Sequence, residues 1–169
     1  MRKELLIGCG SRVRKDLYLN DSGKFDEVTT LDINPSHNPD IVWDLSQHPL
    51  PFSDNTFDEI HAYDVLEHLA QQGDFKFFFS EFSEYWRILK NGGAFFATVP
   101  MECTQWAWGD PSHKRVITAS QLTFLLQKSY YQIGKTQMSD FRNIYKADFN
   151  LRFVNEKNEK LSFILEAVK

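Results

Sequence analysis

The chain is poor in cysteine: Cys9 and Cys103 are the two it has in 169 residues. Their spacing fits no metal-ligand pattern, and Cys9 lies inside a glycine turn where a disulfide would obstruct a ligand. Both read as free thiols in a reducing compartment. Long apolar runs are missing too, none reaching the roughly 18 residues that a membrane helix needs. Met1-Arg2-Lys3-Glu4 leads straight into a short strand-like run, with no signal-peptide pattern. Positive charge is not in excess, the formal net charge being -4, whereas a phosphate backbone wants a basic face. No repeat, low-complexity tract or linker appears. These absences lead to the expectation of a soluble, cytoplasmic protein with a small-molecule partner, no nucleic acid and no membrane.

What is present suffices for one folded domain over residues 1–169, with 42% hydrophobic residues and 15 phenylalanines to fill a core. Strand-like runs occur at Lys3–Gly8, Glu27–Ile33, Asp40–Leu45, Phe57–Tyr63 and Ala94–Val99. Ser11–Lys24 is polar and basic, with room for a short helix only. Phe75, Phe78, Phe79, Phe82, Tyr85, Trp86 and Leu89 recur at helical spacing, so Asp74–Leu89 is a helix, with Asn91-Gly92-Gly93 as its stop. A second helix is expected over Ala119–Lys128, capped by Thr118. Asn143–Val154 and Lys160–Val168 flank a polar turn and read as a hairpin. Strands alternating with helices imply an α/β fold: a doubly wound, Rossmann-like, mostly parallel sheet with a C-terminal antiparallel hairpin.

The first third of the chain carries the functional signal. Leu5-Leu6-Ile7 runs into Gly8-Cys9-Gly10, and Asp32 ends the next strand-like run 22 residues beyond Gly10. Glycines let backbone approach a ligand, and an acid at the end of the following strand accepts from ribose hydroxyls. That order suits an adenosine-containing cofactor. The simpler role for Asp32 is a turn former before Asn34-Pro35. Its charge would repel a 2′-phosphate, which disfavours NADP. Asp44 likewise serves either as a cap or as an acceptor for an adenine amino group, with Leu45 beside the ring. Val13 stands where the dinucleotide fingerprint needs its third glycine, against an NAD-dependent oxidoreductase.

Four further segments carry a resemblance. Leu50-Pro51-Phe52-Ser53-Asp54-Asn55-Thr56-Phe57-Asp58-Glu59-Ile60, Val65-Leu66-Glu67-His68-Leu69, Trp86-Arg87-Ile88-Leu89-Lys90-Asn91-Gly92-Gly93 and Asp110-Pro111-Ser112-His113-Lys114-Arg115-Val116-Ile117-Thr118 occur in this order. Together they resemble the small class I S-adenosylmethionine (SAM) dependent methyltransferases of the type-11-like group, over most of residues 4–128. The resemblance implies a seven-stranded sheet, with SAM as cofactor and S-adenosylhomocysteine (SAH) as product. It places Gly8, Cys9 and Gly10 against the methionine and ribose, and Asp32 on the ribose. It puts Ile33, Asp44 and Leu45 at the adenine, and the Tyr63 carbonyl at the methionine amine. Two positions depart from the pattern. Leu6 stands where the family has an acid, and Arg12 where it often has a third glycine.

Methyl transfer needs donor and acceptor in line and a base for an oxygen or nitrogen acceptor. His68 is the first candidate base and His113 the second; each has a structural alternative, hydrogen bonding to backbone for His68. Trp106 and Trp108, on the loop after the fifth strand, either stack on a substrate or cover the core edge. The expectation is a SAM-dependent methyltransferase acting on oxygen or nitrogen of a small molecule, with a homodimer closing the open site. The alternative is a non-catalytic SAM- or nucleotide-binding module.

Overall fold

A computed structural model describes residues 1–19 and 22–169. Short β-rich runs form β1 (Lys3–Ile7), β2 (Glu27–Asp32), β3 (Ile41–Val42) and β4 (Phe57–Tyr63). Helix α1 (Phe75–Ile88) leads directly into β5 (Leu89–Pro100). Then come α2 (Gln105–Gly109), α3 (Ala119–Leu122), β6 (Asp148–Lys157) and β7 (Lys160–Val168). They build one seven-stranded sheet in the order β3-β2-β1-β4-β5-β7-β6. The first five strands are parallel, while β7 runs antiparallel to both β5 and β6. The strand order reverses between β1 and β4, so the crevice at their carboxyl ends is where a sheet of this kind receives ligands.

Alternation along each strand sorts side chains between two faces. Leu5, Ile7, Ile60, Phe95 and Ala97 pack against Phe79, Phe82, Tyr85 and Ile88 of α1. The phenylalanine stripe is therefore core. On the other face Leu6, Tyr63, Phe96 and Ile164 are covered by Leu17, Phe25 and Val28. No helix forms among the described residues of 11–24, contrary to expectation. This cover is held by a buried ion pair network instead. Lys15 Nζ lies 2.8 Å from Glu4 Oε1 and 2.7 Å from Glu59 Oε2, and the Tyr63 hydroxyl donates to the Leu17 carbonyl at 2.9 Å.

Two of the motif segments turn out to be one clamp. Arg87 donates to the carbonyls of Leu50 (3.2 Å) and Phe52 (2.8 Å) and to Asp54 Oδ1 (2.8 Å), tying the 50–54 turn to the end of α1. Trp86 Nε1 donates to the Val168 carbonyl at 2.8 Å, fastening α1 to β7.

Several boundaries shift. β3 is two residues long rather than six; at its start Asp40 accepts from Thr30 N and Oγ1 instead of joining the strand. Asn91-Gly92-Gly93 does not stop α1; it lies inside β5, where the β4 pairing jumps from Phe57↔Leu89 to Glu59↔Ala94. The capping box at Thr118 is present, but α3 ends at Leu122 and passes into 3₁₀ turns. The hairpin turn sits at Asn158–Glu159, both with positive φ (53° and 63°), and β6 starts at Asp148 rather than Asn143. Among the described residues, no helix is long and apolar enough to cross a membrane.

Candidate functional site

The glycine turn follows β1 directly. Gly8 has φ +58°, and a Cβ there would lie 2.4 Å from Val65 Cγ2. The absent Cβ makes room here for the Val65 side chain. Gly10 differs: its φ is +51°, and a Cβ would meet nothing within 4 Å. Cys9 between them is buried, and burial together with the charge of Asp32 raises its thiol pKa.

Asp32 closes β2 beside this turn. It is 6% exposed. Its Oδ2 accepts from Gly10 N at 2.9 Å and meets His37 Nδ1 at 3.0 Å, and its Oδ1 accepts from Asn34 N at 2.8 Å. Burial alone would raise the carboxyl pKa. The amides of Asn34 and Gly10 and the His37 contact outweigh it, and the pKa is lowered. The acid stays ionised as an acceptor. The Asn34 bond is the turn contact of the simpler reading of Asp32. Ile33 projects beside it, 64% exposed.

Asp44 lies past the end of β3, and its Oδ1 accepts from Ser46 N and Oγ, each at 2.8 Å. One oxygen is therefore spent on a local turn. Leu45 is buried. Tyr63 ends β4, with its ring buried on the Leu6 face and its hydroxyl 2.8 Å from His61 Nδ1.

Asp64 is a residue that sequence reasoning missed. It takes a left-handed φ of 54° directly after β4, a conformation that a non-glycine residue adopts at some cost. Its carboxylate accepts from Thr98 Oγ1 at 3.2 Å and Lys160 Nζ at 2.5 Å, and lies 3.8 Å from Arg12 Nη2. Arg12 also pairs with Asp16 and sits over the Tyr63 ring, 5.1 Å from its centroid. The residue in the third-glycine position thus brings a charge to the turn that Asp64 balances.

Beyond Asp64 a 3₁₀ turn, Leu66–His68, carries Glu67 and His68. The 110–115 loop folds onto it: the amides of Lys114 (2.8 Å) and Arg115 (3.2 Å) both donate to the Glu67 carbonyl. This brings the two histidines together, with ring centroids 4.7 Å apart. His68 Nδ1 lies 3.2 Å from the Ser112 carbonyl. His113 Nε2 is 3.9 Å from Glu67 Oε1 and 3.8 Å from Asp110 Oδ2. Glu67, also missed by the sequence reading, is 2% exposed. Among the described residues, neither of its carboxylate oxygens has a hydrogen-bond partner, nor does the buried His113 Nδ1. Burial pushes the Glu67 pKa up to about 7.

Trp106 and Trp108 stand on α2, a helix where a loop was expected, 56% and 69% exposed. Trp108 Nε1 donates to the Glu102 carbonyl at 2.7 Å. A separate cavity of about 160 Å³ lies beside the start of α1, lined by Phe75, Phe78, Phe79, Phe124 and Phe141 with Arg115. It touches neither the glycine turn nor the tryptophans.

A family model described as "Methyltransferase domain" matches residues 5–97, more than half of the chain. A Mycolicibacterium smegmatis protein described as a probable S-adenosylmethionine-dependent methyltransferase is 27% identical over 144 residues, 80% of this chain. The chain spans 54% of that relative's length. A SAM-dependent methyltransferase from Archaeoglobus fulgidus shares the fold at TM-score 0.59 and 14% identity, over 98% of this chain and 86% of that one. The N-methyltransferase NodS from Bradyrhizobium japonicum, solved with SAH, does so at TM-score 0.55 and 15% identity, over 99% of this chain and 79% of its own. The chain belongs to the family that the matching family model describes as "Methyltransferase domain".

Proposed function

We propose that the chain transfers a methyl group from SAM to an oxygen or nitrogen of a small molecule. The observation that carries this reading is the pairing of an ionised, buried Asp32 with the open turn at Gly10, joined by the 2.9 Å Gly10 N to Asp32 bond. Gly8, Cys9 and Gly10 follow the methionine and ribose. Asp32 accepts from the ribose hydroxyls, and the exposed Ile33 lies against the adenine. Asp44, through its second oxygen, and Leu45 meet the adenine edge. The Tyr63 carbonyl faces the methionine amine. When bound, the cofactor supplies an electrophilic methyl carbon on a sulfonium that leaves as a neutral thioether. The chain's part is to align an acceptor and take its proton. In this reading His68 and His113, packed together with Glu67, take that proton, and Trp106 and Trp108 stack on the acceptor. A homodimer covering these loops is part of the proposal; a monomeric mass in light scattering at working concentration would remove it.

The test is calorimetric titration with SAM, SAH and NAD, followed by mass-spectrometric screening of hydroxylated and amine acceptors. Binding of both sulfur compounds and not of NAD, with mass gain of one methyl group on an acceptor, is expected. The engagement of Arg12 with Asp16 and Asp64, and the lack of an acid at Leu6, favour one other reading. Cofactor binding with no transfer across the acceptor panel would make the chain a binding module.

A further inference from the structure

Among the described residues, two groups of side chains have ligand atoms close enough to hold a metal ion: Glu4, Glu59 and His61, and Glu67, His68 and His113. The first already surrounds a cation of the chain's own, the Lys15 ammonium. The second has none. Its neighbour Arg115 is committed elsewhere, to Glu81 Oε2 at 2.6 Å and the Leu66 carbonyl at 2.8 Å. Among the described residues, both Glu67 oxygens and His113 Nδ1 are buried with no hydrogen-bond partner. Unpaired polar atoms of this kind are costly unless something compensates them.

We propose that Glu67, His68 and His113 bind a divalent transition-metal cation of the Zn²⁺ class, and that this cation receives an oxygen atom of the methyl acceptor. One donor atom from each residue lies within 4.8 Å of the others, so small side-chain movements bring all three to one ion. Two imidazoles and one carboxylate suit Zn²⁺, Co²⁺, Mn²⁺ or Fe²⁺. Mg²⁺ and Ca²⁺ prefer oxygen donors throughout. Three protein ligands leave a position open, as in sites that act on a bound molecule. The second contacts fit as well. His68 Nδ1 faces the Ser112 carbonyl at 3.2 Å, which leaves Nε2 as the metal donor, the usual arrangement for a ligating histidine. The paired hydrogen bonds from the Lys114 and Arg115 amides to the Glu67 carbonyl hold the loop carrying His113 against the turn carrying the other two ligands.

The role of the cation rests on the proposed methyl transfer; metal binding itself does not. A hydroxyl oxygen on the open position loses its proton to solvent more readily than free in water. The acceptor class narrows accordingly to hydroxyl compounds, and neither histidine need act as base while it is a ligand.

The experiment uses the full chain, stripped with a chelator and equilibrated with Zn²⁺, then with Co²⁺, with metal measured by mass spectrometry and Co²⁺ by visible absorption. One Zn²⁺ per chain is expected, with ligand-field bands for Co²⁺. Glu67→Gln and His113→Ala should each weaken binding at least tenfold. Glu67→Gln removes a buried charge and should keep the apo fold by circular dichroism. Substoichiometric Zn²⁺, or Zn²⁺ bound equally by Glu67→Gln, would overturn the proposal. SAH titration of the same samples separates the two readings. Zn²⁺ bound without SAH supports the metal site and counts against methyl transfer; SAH bound without Zn²⁺ does the reverse.

Discussion

Asp32 shows how much one carboxylate can do. It accepts from Gly10 and Asn34 and contacts His37, and a carboxylate offers about four acceptor directions. On the proposed function a ribose hydroxyl would take the remaining direction, and a second hydroxyl would have to displace His37. Asp32→Ala should weaken SAH binding at least tenfold in calorimetry, about 1.4 kcal/mol, while His37→Ala should not weaken it. Loss of affinity in His37→Ala would make the histidine a ligand contact instead. On the proposed function Asp64 would take the methionine end, because Leu6 offers no acid and Asp64 lies 3.8 Å from Arg12 at the glycine turn. Asp64→Asn should lower SAH affinity roughly tenfold, the scale of a charge-assisted hydrogen bond; unchanged affinity would confine Asp64 to its pairing with Lys160. Asp32 was legible in the sequence because a strand pattern and a glycine turn frame it. Asp64 was not, since an acid after a strand carries no periodicity. Glu67 lay within a motif, but its burial comes from a loop more than forty residues later, which local pattern cannot show.

At the scale of elements, the two glycines of the turn should respond differently. Gly8→Ala drives a Cβ to 2.4 Å from Val65 at φ +58°. Overpacking of this kind typically costs about 1–3 kcal/mol, with a further ~1–2 kcal/mol for the left-handed backbone. Gly10→Ala has the backbone cost alone, because its Cβ enters open space. Thermal unfolding should therefore fall much more for Gly8→Ala, and SAH affinity should fall more than melting temperature for Gly10→Ala. Equal destabilisation would mean that Val65 yields. The same elements show which local signals are sufficient. α1 was legible because its apolar period is sustained and Asp74 caps it, accepting from Phe77 N at 3.0 Å. Its stop was misread because Asn91-Gly92-Gly93 looks like a helix terminus, whereas chain reversal occurs at Leu89 and the glycines accommodate a jump in strand pairing. α3 had a correct cap and the wrong length: tertiary contacts of Gln127 with Ala147 and Asp148 draw the chain into 3₁₀ turns.

At the scale of the whole molecule, one face of the sheet depends on charge where a helix would have supplied apolar packing. Lys15, Glu4, Glu59, His61 and Tyr63 form that buried network, with Arg2 at its rim, 2.8 Å from Glu59 Oε1. Removing one member leaves the others unpaired, which typically costs about 3–5 kcal/mol; Lys15→Met should lower stability on that scale at pH 7. The pH dependence follows from two groups. Burial works to raise the Glu59 pKa, but hydrogen bonds from His61 and Lys15 and the Lys15 charge hold it down at about 2, against an ordinary 4.5. A depressed acid contributes stability above its unfolded pKa and loses it as the pH falls through that value toward the folded one. The contribution at stake is roughly 3 kcal/mol. Burial also lowers the His61 pKa below the ordinary 6.5, although Glu59 opposes this. The unfolded chain takes up that proton first, so stability begins to fall below pH 6.5 and continues to fall toward pH 2. Urea unfolding followed by circular dichroism across this range should show a steep acid limb in the native chain. In Lys15→Met the cation that holds Glu59 down is gone, so the part of the limb below pH 4.5 should flatten. An unchanged slope in the variant would place the acid sensitivity outside this network.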